Sequence, residues 1–242
     1  MSSIEGLVQH MQFQWRRHEV LANNLANVST PGFKRDDLAI VPDSATPDPA
    51  TANVLALPAG GSLLQWTDYS QGFIQVTGRN LDAALNGPGF FVVETPAGPR
   101  YTRAGSFNVG ANGVLVGPGG GAVQGQRGTI TLTSSKVSIA AGGEVIDNGR
   151  IVDTLRIVEF PKPYRLMKEG VGLYAAADAT VEPTPAKDVE VAGGALEASN
   201  VVTMHMMVTM IEVLRTYEAA QRAMQAIEQA NQHATTDIGK VS

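Results

Sequence analysis

Four histidines, two glycine-rich runs and one asparagine-rich segment are the places where this sequence has residue types suited to chemistry. The histidines are His10, His18, His205 and His233. Helical metal-binding pairs sit at i, i+4. His10 and His18 stand eight residues apart with no carboxylate at ligand spacing, so a solvated or interfacial role is expected. Gly117-Pro118-Gly119-Gly120-Gly121 has the glycines of a phosphate loop, but such a loop needs Lys and then Ser or Thr, opening a helix. Ala122-Val123-Gln124 follow instead, and the run reads as a flexible hairpin tip. Gly87-Pro88-Gly89 precedes a strand-like run rather than a helix, so it fails as a dinucleotide fingerprint. There is no Gly-x-Ser-x-Gly elbow, and spacing forces no two carboxylates together for acid–base work. With no cysteine, disulfides, thiolate metal sites and cysteine nucleophiles are excluded. The expectation is a chain that is not an enzyme and carries no catalytic, cofactor or metal residues.

The asparagine-rich segment is different. Ala22–Lys34 holds Asn23, Asn24 and Asn27 at the end of a helix-like stretch, where Asn is a poor helix former. One reading is a fraying helix terminus with local caps. The other is that these amides, each both donor and acceptor, find partners on neighbouring chains in an assembly. Arg16-Arg17 reads as a solvated helix face. The methionines at 204, 206, 207, 210 and 224 read as helix packing, preferably between subunits, with a Met-rich binding groove as the other reading.

The elements that must position these residues follow from periodicity. Residues 3–28 read as an amphipathic helix whose seam runs through Ile4, Leu7, Met11, Gln14, His18, Leu21, Leu25 and Val28, six of the eight apolar. Pro31 and Gly32 stop it. Residues 42–62, rich in Pro, Ala, Gly, Ser and Thr, read as a linker. Residues 63–192 read as a central antiparallel all-β domain, a sandwich or irregular barrel. Its candidate strands are Phe90–Thr95, Arg100–Arg103, Ser106–Val109, Val114–Val116, Thr129–Leu132, Lys136–Ala140, Thr154–Glu159 and Leu173–Ala175. Asn112-Gly113 and Asn148-Gly149 are hairpin turns, since both residue types tolerate positive φ.

Residues 197–236 read as a helix with Ser199 as N-cap. Met206, Met210, Val213, Tyr217, Ala220, Met224, Ile227, Asn231 and Ala234 step alternately by four and three, a heptad seam of coiled-coil type. Met207, Ile211 and Leu214 add a second apolar stripe. A helix with two stripes must touch more than one neighbour: the β-domain, the N-terminal helix, or a helix of another subunit. Entropy favours helices that become rigid only on assembly. The fold class is therefore mixed α and β, with terminal seam-bearing helices at 1–41 and 193–242 flanking the β-domain.

The net charge of −5 argues against nucleic acid as partner. The chain contains no apolar run long enough for a membrane span, so no direct membrane insertion is expected. Polar and charged residues also interrupt the N-terminus where a cleavable signal needs an apolar run.

Ala22–Lys34 resembles the N-terminal signature of flagellar basal-body rod and hook proteins: Ala-Asn-Asn, then Ala-Asn, then Thr-x-Gly-Phe-Lys. Leu196–Val201, Met210-Ile211 and Arg215-x-Tyr217-Glu218 resemble the second signature. Gln71-Gly72, Leu81-Asp82, Gly89–Val93 and Tyr101–Phe107 match in between, so the resemblance covers nearly the whole chain. The modest length resembles a rod protein rather than the hook subunit. Asp36–Pro42 lacks the acidic–aromatic run of the distal rod form, which favours the proximal type and leaves the distal type as the alternative. The resemblance implies a structural subunit that polymerises through its terminal helices into a hollow shaft crossing the periplasm. Its partners would be itself, other rod proteins and the flagellar export apparatus. The expected assembly interface is Leu21, Asn23, Asn24, Leu25, Asn27, Thr30, Gly32, Phe33, Ser199, Asn200, Met206, Met210, Val213, Tyr217, Met224 and Ile227. From another class, a module that binds a partner helix in the Met-rich seam is the rival.

Overall fold

The computed structural model describes residues 2–42, 53–56, 62–134, 136–170, 172–177 and 181–238. Two helices bracket all the strands in sequence: α1, Ser2–Ala26, and α2, Thr203–Ile238. They lie against each other within one chain. Leu21, Phe33, Val201, Met206 and Val213 form one buried cluster, joined by Val28 and Met210. Trp15 approaches Tyr217 higher up, with ring centroids 6.3 Å apart. From Leu7 to Val28 every described seam position of α1 is buried or half-buried. On α2 the seam from Met206 to Ile227 behaves the same way, while the opposite face is exposed. The first neighbour of the C-terminal seam is thus the chain's own N-terminal helix. The side chains of Ile4, Asn231 and Ala234, also assigned to the seams, lie outside the described residues.

Both helices are shorter than expected at their inner ends. α1 closes at Ala26, where the Asn27 amide is shared between the carbonyls of Asn23 and Asn24 at 3.2 Å each. α2 opens at Thr203, not at 197. Ala195–Glu197 is instead a strand paired antiparallel with Ile74–Val76. Ser199 is therefore not the helix N-cap. Its hydroxyl accepts from the Val201 amide at 3.3 Å, in the turn before the helix.

Every strand pairing among the described residues is antiparallel. The main sheet has 10 strands. Phe90–Thr95 sits inside it, between Gly98–Thr102 and Ala122–Gly125. Side chains alternate across a strand, so Phe91 and Val93 enter one core while Phe90 and Val92 enter a second. Burial on both faces is why this run is apolar without alternation. In the second core Phe90, Tyr101, Phe160 and Tyr174 meet edge to face. Asn148-Gly149, at φ 49° and 81°, closes the hairpin of Glu144–Asp147 and Arg150–Thr154. Gly117–Gly121 joins the paired strands Leu115–Val116 and Ala122–Gly125 through a short 3₁₀ turn.

A three-stranded sheet lies apart from the main one, ordered Asp36–Val41, Ser62–Thr67, Asn53–Ala56. Two of its strands fall where the sequence suggested a signature loop and a linker. Of that linker, 43–52, 57–60 and 61 lie outside the described residues. A division at 62/63 runs through the strand Ser62–Thr67, and one at 192/193 through Glu190–Gly193, which pairs with Ala83–Asn86. Periodicity missed these edges because each strand is short and half-exposed, with no sustained alternation.

Candidate functional site

The two signature segments meet beneath the helices in a polar clasp. Pro31 ends the α1 exit and Gly32 turns it at φ 68°, so close to the Arg103–Ala104 backbone that a Cβ would collide. The Gly32 amide donates to the Glu197 carbonyl at 2.7 Å. This turn inserts Phe33 into the helix cluster and sends Lys34 inward.

Lys34, Arg103 and Glu197 are buried together, at 1, 4 and 0% exposure. Glu197 Oε1 accepts from Lys34 Nζ at 2.5 Å and from the Gly72 amide at 2.8 Å. Its Oε2 accepts from Arg103 Nη1 at 3.2 Å. Lys34 also donates to the Ser70 carbonyl, and Arg103 to that of Gly87. Burial pushes the Lys34 pKa down, opposed by the attraction of Glu197. Two cations on one carboxylate tie together residues 34, 103 and 197, which are distant in sequence.

Around this triad the asparagines act as amide staples. Asn24 Nδ2 donates to the Asp36 carbonyl at 2.7 Å, and its Oδ1 accepts from the Asp36 amide at 2.9 Å. Only an amide side chain offers a donor and an acceptor in that fork. It stitches the last turn of α1 to the first residue of the strand Asp36–Val41. Asn200 does the same at the other signature: its Oδ1 accepts from the Arg35 amide at 2.8 Å, and its Nδ2 donates to the Asp68 carbonyl at 2.8 Å. Asn27 holds the helix end, donating to the Asn23 carbonyl and accepting from the Thr30 hydroxyl. Lys168 reaches in from the main sheet to Asp36 Oδ1 at 2.7 Å and lies 4.6 Å from the Phe33 ring centre. Burial tends to raise the Asp68 pKa, but hydrogen bonds from Ser70 and the Arg35 charge outweigh it and hold it below the ordinary value.

The structure therefore corrects the reading of the Asn amides as waiting for neighbouring chains: Asn24, Asn27 and Asn200 have partners inside the chain. Asn23 is exposed. Leu21 and Phe33 share the helix cluster with Met206, Met210 and Val213, Thr30, Gly32 and Asn200 sit at the clasp, and Leu25 is half-buried on α1, whereas Tyr217, Met224 and Ile227 lie farther along the helix pair. Sequence reasoning missed Lys34, Arg103, Glu197 and Lys168 as a functional group. For Lys34, Arg103 and Glu197 the signal available was a single charge inside an otherwise uncharged signature segment, whereas Lys168 lies in no signature and left none.

On the outer side of α2 the chemistry reverses. Met204, Met207, Val208, Ile211 and Leu214 are 45–74% exposed, a continuous apolar stripe facing away from α1. Among the described residues no group of three or more His, Asp or Glu gathers to hold a metal. No described helix is long and apolar enough to cross a membrane.

The clasp locks two signature segments to a β-domain beneath paired terminal helices. Family profiles agree segment by segment. Residues 11–34 match the profile for flagella basal body rod proteins, 84–146 that for the flagellar hook protein FlgE/F/G D1 domain, and 192–236 that for the C-terminal part of flagellar basal body rod FlgEFG proteins. The flagellar basal-body rod protein FlgF of Caulobacter vibrioides is 31% identical, the match covering 98% of this chain and 97% of that protein. The rod protein FlgG of Borreliella burgdorferi is 31% identical over 86% and 87%. The flagellar hook protein FlgE of Treponema pallidum is 38% identical over 50% of this chain and 28% of that protein. The chain belongs to the flagellar basal-body rod protein family.

Proposed function

We propose that this chain is a structural subunit of the flagellar basal-body rod, of the proximal type, that polymerises through its terminal helices and acts mechanically rather than by catalysis. The observation that carries this is the exposed apolar stripe of α2, set opposite a seam already filled by α1. A long apolar face left exposed marks an interaction surface, and here the clasp fixes its direction relative to the β-domain. The proximal assignment draws on the match to a FlgF rod protein through 98% of this chain, against 83–87% for FlgG proteins. In the assembled shaft the heptad seam continues as coiled-coil packing, the β-domain lies outward, and torque passes through the clasp. The subunit reaches its place in the basal body through the flagellar export apparatus.

Deletion of the gene tests the reading. Cells lacking the chain lose swimming in soft agar, and electron cryo-microscopy of their basal bodies shows an incomplete rod. The wild-type gene restores both. Normal flagella in the deletion strain would overturn the assignment.

A further inference from the structure

Resting on that reading, we propose that the α2 stripe docks in a groove beside α1 of a second copy of this chain, displaced along the helix axis. The groove is about 670 Å³ in volume and is lined by Val8, Met11, Trp15, Leu55, Tyr217 and Met224, with Arg16 and Glu19 also on its wall. It lies beside the seam, where the upper half of the helix pair meets the three-stranded sheet.

The chain cannot fill its own groove with its own stripe. At 3.6 residues per turn the stripe is centred about 150° around α2 from the seam. The two surfaces also lie at different heights. The stripe spans residues 204–214, and α2 contributes 217 and 224 to the groove, so their centres are about 17 Å apart at 1.5 Å per residue. A second copy shifted by that distance brings stripe to groove. Two different patches joined in this way form a heterologous contact, which propagates and does not close.

The chemistry of the two surfaces matches. Both are apolar, and the methionines of the stripe adapt to an irregular groove. The stripe ends at exposed Arg215 and Glu218, and the groove carries Arg16 and Glu19. In the free chain Arg16 and Glu19 bridge each other at 3.0 Å in solvent. Such exposed pairs are weak, so they exchange for Glu218 and Arg215 of the incoming copy at little cost.

Because the chain has no cysteine, single cysteines report the contact directly. Ile211→Cys and Gln12→Cys place one thiol on the stripe and one on the groove wall, both at exposed positions. Leu214→Cys with Val8→Cys is a second pair. The two variants of a pair are produced together in cells lacking the wild-type chain, and isolated basal bodies are treated with a short bismaleimide. The expected result is a product of twice the chain mass, about tenfold or more above either variant alone, because docking holds the thiols at high effective concentration. Equal yield from a stripe variant alone would indicate a closed stripe-to-stripe pair and overturn the proposal. So would a product whose mass shows a different rod protein. If the chain is present in basal bodies and neither pair links, the docking proposal fails and the rod assignment stands. If the chain is absent from basal bodies, the rod assignment itself fails, and this proposal with it.

Discussion

The clasp and the outer face of α2 lie next to each other and follow opposite rules. In the clasp, charged and amide side chains from residues 24, 34, 103, 197 and 200 are drawn out of water and find partners inside the chain. On the outer face of α2, a few residues later, large apolar side chains stay in water. The polar residues that looked like an intermolecular junction fix the chain's own geometry. The apolar residues that looked like one stripe too many stay exposed on the outer face of α2, where the proposed contact between subunits would use them. A buried ion triad also suits a joint under torque. It is costly to break, and its directional bonds set one orientation of helices against β-domain, whereas apolar contacts alone permit sliding.

Breaking the clasp gives the largest expected effect. Glu197→Ala leaves Lys34 and Arg103 buried without their anion, and removing one member of a buried ion pair costs about 3–5 kcal/mol. Urea unfolding of the purified chain measures it. A loss under about 1 kcal/mol would mean the triad is solvated and carries no positional role.

Asn24→Ala is a gentler test of the same region. It removes both bonds to the Asp36 backbone, leaving a buried amide and carbonyl in want of partners, at a cost of about 1–3 kcal/mol. If instead the amide serves only between chains, the isolated subunit shows no change in urea midpoint while swimming is lost.

The smallest effect on stability is expected on the other side of the comparison. Ile211→Lys alters an exposed position, so the free chain keeps its stability within about 0.5 kcal/mol. Swimming is nonetheless lost. Val213→Lys, two residues on, points into the seam at 1% exposure and destabilises the helix pair of the free chain, read by circular dichroism and hydrogen exchange on α2. Equal stability of the two variants would erase the distinction between inner seam and outer stripe.

Periodic and local signals were legible in the sequence, because each depends on neighbours within a few residues. The seams of α1 and α2 follow from spacing alone. The strand Phe90–Thr95 and the Asn148-Gly149 hairpin follow from residue type. The asparagines of the first signature were visible as unusual, and the resemblance they carry reached the family. Tertiary structure decided which side of α2 belongs to its own chain. Both stripes are apolar at helical spacing, and only the presence of α1 against Met206 and Val213 separates them. It also decided that Glu197 is a strand residue holding two cations rather than the start of a helix. Helix propensity and heptad spacing act over a turn or two. A salt bridge spanning 163 residues leaves no local pattern for spacing to detect.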